Sequence, residues 1–409
     1  MSVAQVKSYL ATVDFPWDLT QLPSNAYLVG GSVRDALLNR YKVPLDLDFV
    51  LPEKAIATAR QIANLYGGGF VVLDQEREIA RVVFPQGTLD FARQEGSSLE
   101  ADLTRRDFTI NAIAYNIQSQ QLVDPLGGLQ DLAQGVLRMV STQNLEDDPL
   151  RLFRAYRQAA QLNFKIETET RIAISDRTFL LKTIAAERIQ AELNYIFNAP
   201  QDNRWLTAAI EDGLLEFWLP SINPMKIKQL DALSKGIEYC LRSGLNLPGL
   251  AILAKLATLV AEQPAMAEAE LTQLKYARAQ IKAVVKTVKY LPKIQQMRNP
   301  MSLREQYFWF LAVKDIFPIL IARAIATGVS SEIIEPLIKR YLDPLDRVAH
   351  PQSLVTGNDL IDQLNLKPSP VIGKLLTEIQ IAQIESKIST PQQAINFANS
   401  ILRSTEHLM

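Results

Sequence analysis

The chain has 409 residues, 48% of them hydrophobic and 21% charged, and a formal net charge of −1. That length supports a sizeable core and more than one domain, and near-neutrality still leaves room for local basic patches that bind RNA. The single cysteine, Cys240, excludes an internal disulfide and a cysteine-based zinc site, and two histidines, His350 and His407, exclude a histidine-rich metal centre.

Tyr27–Val29 reads as a strand that runs into Gly30-Gly31 and a helix carrying Arg34 and Asp35. The two glycines let backbone approach a phosphate closely, and the helix start offers free N–H groups. No Gly-Lys-Ser/Thr follows, so this is not a Walker loop. Leu45–Leu51 alternates apolar and acidic residues, which predicts a strand with Asp46 and Asp48 on one face, where they can share a divalent cation. A helix over 54–66 ends at Gly67-Gly68-Gly69. Phe70–Leu73, Ile79–Phe84 and Thr88–Phe91 follow as strands, with Pro85-Gln86-Gly87 as a turn. Asp90, on the last of these, is a candidate third carboxylate. A further strand pair is expected at Ala114–Ile117 and Gln121–Val123. These elements make a small mixed sheet with helices on one side.

Arg105 and Arg106 precede Asp107, a candidate helix cap, with Asn111 one turn on. Asp124-Pro125-Leu126-Gly127-Gly128 opens a turn, a short helix and a strand. From about residue 145 the strand signal fades into long helical patterning, broken at Pro200, Pro220, Pro248, Pro292, Pro300 and Pro344. Asp148, Arg151 and Arg154 recur every three residues around Pro149. One helix would carry all three on a single face, with a donor fork and an acceptor able to read a base edge. Arg188 and Glu192 have the spacing of an i,i+4 pair. Lys275, Arg278, Lys282, Lys286, Lys289 and Lys293 form a cationic stripe, and Lys282, Lys286 and Lys289 are its candidate RNA contacts.

Five ordered segments over roughly residues 25–200 resemble motifs A to E of the class II tRNA nucleotidyltransferase and bacterial poly(A) polymerase family. They are Leu28-Val-Gly-Gly-Ser-Val-Arg-Asp with Asp46-Leu-Asp48, Arg105-Arg-Asp-Phe-Thr-Ile-Asn-Ala112, Asp124–Leu132, Asp147-Asp-Pro-Leu-Arg151 and Glu187–Leu193. One departure is Asp147, where the family usually has Glu.

The resemblance implies an α/β nucleotidyltransferase head followed by an elongated all-α neck, body and tail, divided near 1–140, 141–200, 201–290 and 291–409. It implies Mg²⁺ at Asp46 and Asp48, with Asp90 as a candidate third ligand. Nucleotide binding falls to Gly30, Gly31, Arg34, Arg106, Asp107, Asn111, Asp148, Arg151 and Arg154. The implied partners are tRNA and CTP, with ATP in the relatives that add adenosine. Only eleven residues, Gln94 to Thr104, separate Arg93 from Arg105. Relatives that add CCA or A typically carry a longer flexible loop there, so the short form resembles CC-adding enzymes and implies a separate A-adding partner enzyme. Full CCA addition, A addition, poly(A) synthesis and a non-catalytic RNA-binding role are the competing readings. No signal-peptide core or apolar run long enough to span a membrane is evident, and a cytoplasmic enzyme is expected.

Overall fold

The computed structural model describes the chain except residues 12–17, 41–43, 200–202, 298 and 407–409, so the expected break at Pro200 and the residue His407 lie outside the described residues. The chain divides into two compact units, Met1–Phe217 and Trp218–Met409.

In the first unit a helix α1 (Val3–Leu10) precedes strand β1 (Tyr27–Val29) and helix α2 (Gly31–Leu37). Strand β2 (Leu45–Leu51), helix α3 (Ala55–Tyr66) and strands β3 (Gly69–Asp74), β4 (Ile79–Phe84) and β5 (Gly87–Arg93) follow. After helix α4 (Leu99–Leu103) come β6 (Ala114–Asn116) and β7 (Gln121–Val123). The seven strands form one mixed sheet in the order β3-β4-β5-β2-β1-β6-β7. Within it β2 and β5 pair in parallel, with Asp46 opposite Thr88 and Asp48 opposite Asp90.

The period-two pattern decides which face is dry. Leu47, Leu89 and Val82 are cross-strand neighbours and fully buried. Helix α3 lies on their side, since Gly68 at its end is close enough that a Cβ would fall 2.8 Å from Val82 and Phe84. The alternate residues Asp46, Asp48, Asp90 and Arg81 therefore face the other way. The sequence led to the expectation of helices on one side of the sheet, but they lie on both. Val50 shares the acidic face and is apolar, and Leu99 and Leu103 of α4 cover it.

Helix α5 (Gly128–Gln134) is capped by Asp124, whose carboxylate accepts from the N–H groups of Gly128 (2.7 Å) and Leu129 (2.9 Å). A short parallel pair, β8 (Val136–Leu137) and β9 (Lys165–Ile166), brackets helices α6 (Thr142–Asp147) and α7 (Leu150–Leu162). Helices α8 (Thr168–Ser175), α9 (Ala186–Phe197) and α10 (Arg204–Glu211) complete the unit.

The second unit is helical: α11 (Pro224–Arg242), α12 (Leu250–Leu259), α13 (Pro264–Gln273), α14 (Arg278–Gln295), α15 (Leu303–Val313), α16 (Phe317–Ala326), α17 (Ser331–Leu342), α18 (Gly357–Leu364), α19 (Pro370–Ile384) and α20 (Pro391–Glu406). Pro292 does not break the chain as expected. It lies inside α14, one turn from its end, so a boundary at 290/291 would cut a continuous helix. No single helix among the described residues is long and apolar enough to cross a membrane.

An aromatic cluster organises the start of α16. The Phe317 ring stacks on Tyr341 at 4.2 Å and meets Phe310 at 5.6 Å and Trp309 at 5.8 Å. Phe317→Ala is expected to destabilise the second unit by about 3–5 kcal/mol through lost burial and the cavity left behind. Urea or thermal unfolding of the purified variant measures it, and an unchanged midpoint would reject this packing.

Candidate active site

The Gly30-Gly31 turn, β2 and the segment after α4 meet at one place. Gly30 has a φ of +74° and serves as the N-cap of α2. A Cβ at Gly30 would sit 3.3 Å from Arg106 Nη1 and 3.6 Å from Asp48 Oδ2, so glycine suits both the backbone conformation and the passing arginine. Asp48 lies under this turn, and burial, followed by the charges of Asp46 and Asp90, pushes its carboxyl up to about 6. Asp46 is more exposed and accepts a hydrogen bond from Thr88. Asp90 is held by both arms of Arg81, at 2.7 Å each.

This acidic row has the oxygen donors that Mg²⁺ prefers, and the Asp48 carboxyl is raised first by burial and then by its two acidic neighbours. No group of three carboxylate, histidine or cysteine side chains among the described residues forms a closed metal cage. Two carboxylates supplemented by substrate phosphates fit that arrangement.

Beside the row opens a polar cavity of about 460 Å³, lined by Arg77, Glu95, Asp102, Arg105, Arg106, Asp147, Asp148, Arg151 and Arg188. Arg106, Asp148 and Arg151 were expected from sequence. Arg77, Asp102 and Arg188 were not. Arg77 sits on the β3–β4 turn and Asp102 in α4, where nothing in the local pattern signals a site. Arg188 was expected to pair with Glu192. Instead Glu192 is buried and takes Arg157 at 2.9 Å, which leaves Arg188 to reach Asp148 at 3.4 Å.

Asp148 itself is not on the helix with Arg151 and Arg154, and it does not cap it. It occupies the break between α6 and α7 in an extended conformation, and the N-cap of α7 is Pro149, with no side-chain hydrogen bond. Arg151 is steadied by donating to the Asn144 carbonyl at 2.9 Å. The Asn144 amide in turn donates to the carbonyls of Thr104 and Arg106, at 2.8 Å each.

Arg34, Asp107, Asn111 and Arg154, also expected at the nucleotide, do not line this cavity. They satisfy one another. Arg34 Nη1 donates to Asn111 Oδ1 at 2.7 Å and to Gln158 Oε1 at 3.2 Å. Asn111 Nδ2 donates to Asp107 Oδ1 at 2.8 Å, and Arg154 Nε to Asp107 Oδ2 at 2.9 Å. Burial alone would raise the Asp107 carboxyl, but Arg154, Asn111 and the Phe108 N–H outweigh it and hold the group at about 2. Asp107 precedes a single 3-10 turn, Thr109–Asn111, rather than an α-helix. Thr109 donates to Asp131 at 2.6 Å, which ties this turn to α5.

The connection Gln94–Thr104 is short and pinned. Gln94 N donates to the Leu51 carbonyl at 2.7 Å, and Glu95 N to Asp102 Oδ1 at 2.9 Å. Gly96, at φ +93°, packs within 2.8 Å of Ala101 when a Cβ is placed on it. Ser98 accepts from Ala101 N and caps α4, and Glu95 pairs with Arg105 at 2.8 Å.

In the second unit Lys275, Arg278, Lys282, Lys286 and Lys289 line a cleft of about 730 Å³ together with Tyr276 and Tyr290. The stripe is less uniform than its spacing implies. Lys275 lies in a left-handed turn before α14, and Lys286 is paired with Asp315. Lys282 and Lys289 remain exposed.

Residues 26–138 match the poly(A) polymerase head domain, and residues 250–398 match the second domain of tRNA nucleotidyltransferases. The chain is 47% identical to a CC-adding tRNA nucleotidyltransferase of Synechocystis sp., over 95% of this chain and 96% of that one. It is 32% identical to an A-adding tRNA nucleotidyltransferase of Deinococcus radiodurans, over 93% and 96%. A solved CCA-adding enzyme in complex with CTP has the same fold, with a TM-score of 0.77 at 23% identity, covering 98% of this chain and 99% of that one. The fold and site thus define a nucleotidyltransferase. The chain belongs to the tRNA nucleotidyltransferase and poly(A) polymerase family.

Asp107→Ala is expected to cost about 3 kcal/mol of stability, because it strands Arg154 and two N–H donors around a buried site. Arg151→Ala, on the open cavity wall, should change stability by less than about 1 kcal/mol. Because the folded Asp107 carboxyl lies below its unfolded value of about 3.9, its contribution is present at neutral pH and is lost as pH falls from about 4 toward 2. Chemical denaturation of both variants at pH 7 decides it. Equal stabilities would mean that the Asp107 network does not hold the head together.

Proposed function

We propose that this enzyme adds two cytidines from CTP to the 3′ end of tRNA and stops there. The observation that carries the reading is the Gln94–Thr104 connection, which is short, capped and bonded at both ends and so has no slack to reorient the nucleotide cavity. The CC-adding relative, matched over nearly the whole chain, supports it.

In this reading Asp46 and Asp48 hold Mg²⁺, and Asp90, occupied by Arg81, is the reserve third carboxylate. Bound magnesium supplies positive charge to the triphosphate and to the attacking 3′-hydroxyl. The protein's own groups do the rest. Gly30 and Gly31 leave room for phosphate, and Arg106 offers its free guanidinium edge to phosphate or ribose oxygens. Asp148 and Arg151 meet the base edge, while Arg34, Asp107, Asn111 and Arg154 hold these parts in register. The RNA 3′-oxygen bonds to the α-phosphorus of CTP as pyrophosphate leaves. Residues 1–140 act as the catalytic head and 141–200 as the selecting neck. The basic cleft around Lys282, Lys286 and Lys289 binds tRNA backbone, and a separate enzyme adds the terminal adenosine.

Asp46→Ala and Asp48→Ala should each abolish Mg²⁺-dependent incorporation of labelled CMP while leaving tRNA binding largely intact. Substantial activity in both purified variants would move the metal site elsewhere.

The product length tests the specificity. With tRNA ending at the discriminator base and with CTP and ATP both present, extension should halt after two residues. Efficient terminal adenosine addition by the unmodified enzyme would make full CCA addition the better reading.

A further inference from the structure

Arg106 links the three parts of the head's site: it passes the Gly30 turn, its charge acts on Asp48 in the acidic row, and it lines the polar cavity. Its own anchoring is sparse. Nη2 donates to Asp102 Oδ2 at 3.0 Å, and Nε is buried without a hydrogen-bond partner. One contact therefore sets where a long, flexible cation points.

Asp102 is itself nearly buried, at 8% exposure. Its other oxygen, Oδ1, accepts from the Glu95 backbone N–H at 2.9 Å. The same carboxylate thus grips the short connection with one oxygen and Arg106 with the other. Both bonds leave from α4, whose Leu99 and Leu103 are seated on the sheet against Val50. The carboxylate rides on a rigid element rather than on the loop it restrains.

We infer that Asp102 is a positioning residue for nucleotide binding: it holds the Arg106 guanidinium between the Gly30 turn and the polar cavity, in place for the incoming CTP. This rests on the CTP reading of the site. Without Asp102 the arginine keeps its charge but must be ordered at the moment of binding, so the loss falls on nucleotide affinity rather than on turnover. The role differs from that of Asp107, whose partners form a closed network away from the cavity.

The test is steady-state incorporation of CMP into tRNA by the full-length enzyme. Asp102→Asn is nearly isosteric and can still accept from Glu95 N–H through its amide oxygen, so it frees Arg106 selectively. It is expected to raise KM for CTP about tenfold with kcat within threefold of the parent. Asp102→Ser, which also removes the charge, should show the same split and gives a second reading if the first variant folds poorly. Arg106→Gln should raise KM at least as much, and Asp102→Asn added to Arg106→Gln should have no further effect, because the two act through one guanidinium. A KM within twofold of the parent in a folded Asp102→Asn enzyme overturns the inference, as do effects that multiply in the double variant. An unmodified enzyme that incorporates no CMP overturns the CTP reading itself, a result separable from any ratio between variants.

Discussion

Asp107 is a carboxylate taken out of water, and the first unit is arranged around the need to satisfy it. Arg154 comes from α7, Asn111 from the adjacent 3-10 turn, and Gln158 donates at 3.4 Å from one turn further along α7. Arg34 of α2 then binds Asn111 and Gln158 from the other side. A buried charge with this many donors is costly to disturb, because removing one donor leaves part of the carboxylate unsatisfied in low dielectric. The network therefore fixes how α2, which starts at the Gly30-Gly31 turn, sits against α7, which carries Arg151 and Arg154.

A second restraint acts beside the cavity. Asn144 binds the carbonyls of Thr104 and Arg106, and its own carbonyl receives Arg151. The segment carrying Arg105 and Arg106 is thus tied forward to α6 and α7 and back, through Asp102, to the end of β5. These anchors hold the short Gln94–Thr104 connection at both ends.

The acidic row shows how burial and chemistry are reconciled. Leu47, Phe49, Leu89 and Phe91 fill one face of β2 and β5, with the two phenylalanine rings stacked at 5.3 Å. That dry face makes the sheet rigid, and the alternate positions present Asp46, Asp48 and Asp90 on a surface that cannot easily relax. Arg81 neutralises Asp90 from the neighbouring strand. Burial, and after it the nearby Asp46 and Asp90 charges, keeps the Asp48 carboxyl raised.

Much of this was legible in the sequence wherever the information was local. The alternation of Leu45–Leu51 determined a strand and placed both aspartates on one face, and Gly67-Gly68-Gly69 marked the end of α3. The motif spacing pointed to the family and to Asp148 and Arg151. What the sequence could not decide was which side chain meets which across long separations. Arg34 and Gln158 lie 124 residues apart, and only the folded chain brings them within 3.2 Å of each other. Arg188 has two acids within reach. Helical spacing favours Glu192, but burial of Glu192 against Arg157 sends Arg188 to Asp148. Pro292 looked like a stop, and packing within the helical unit carried α14 through it. Periodicity reports the face a residue occupies, because backbone geometry sets it. Partner choice is set by competition for buried charge, and that exists only once the tertiary structure has formed.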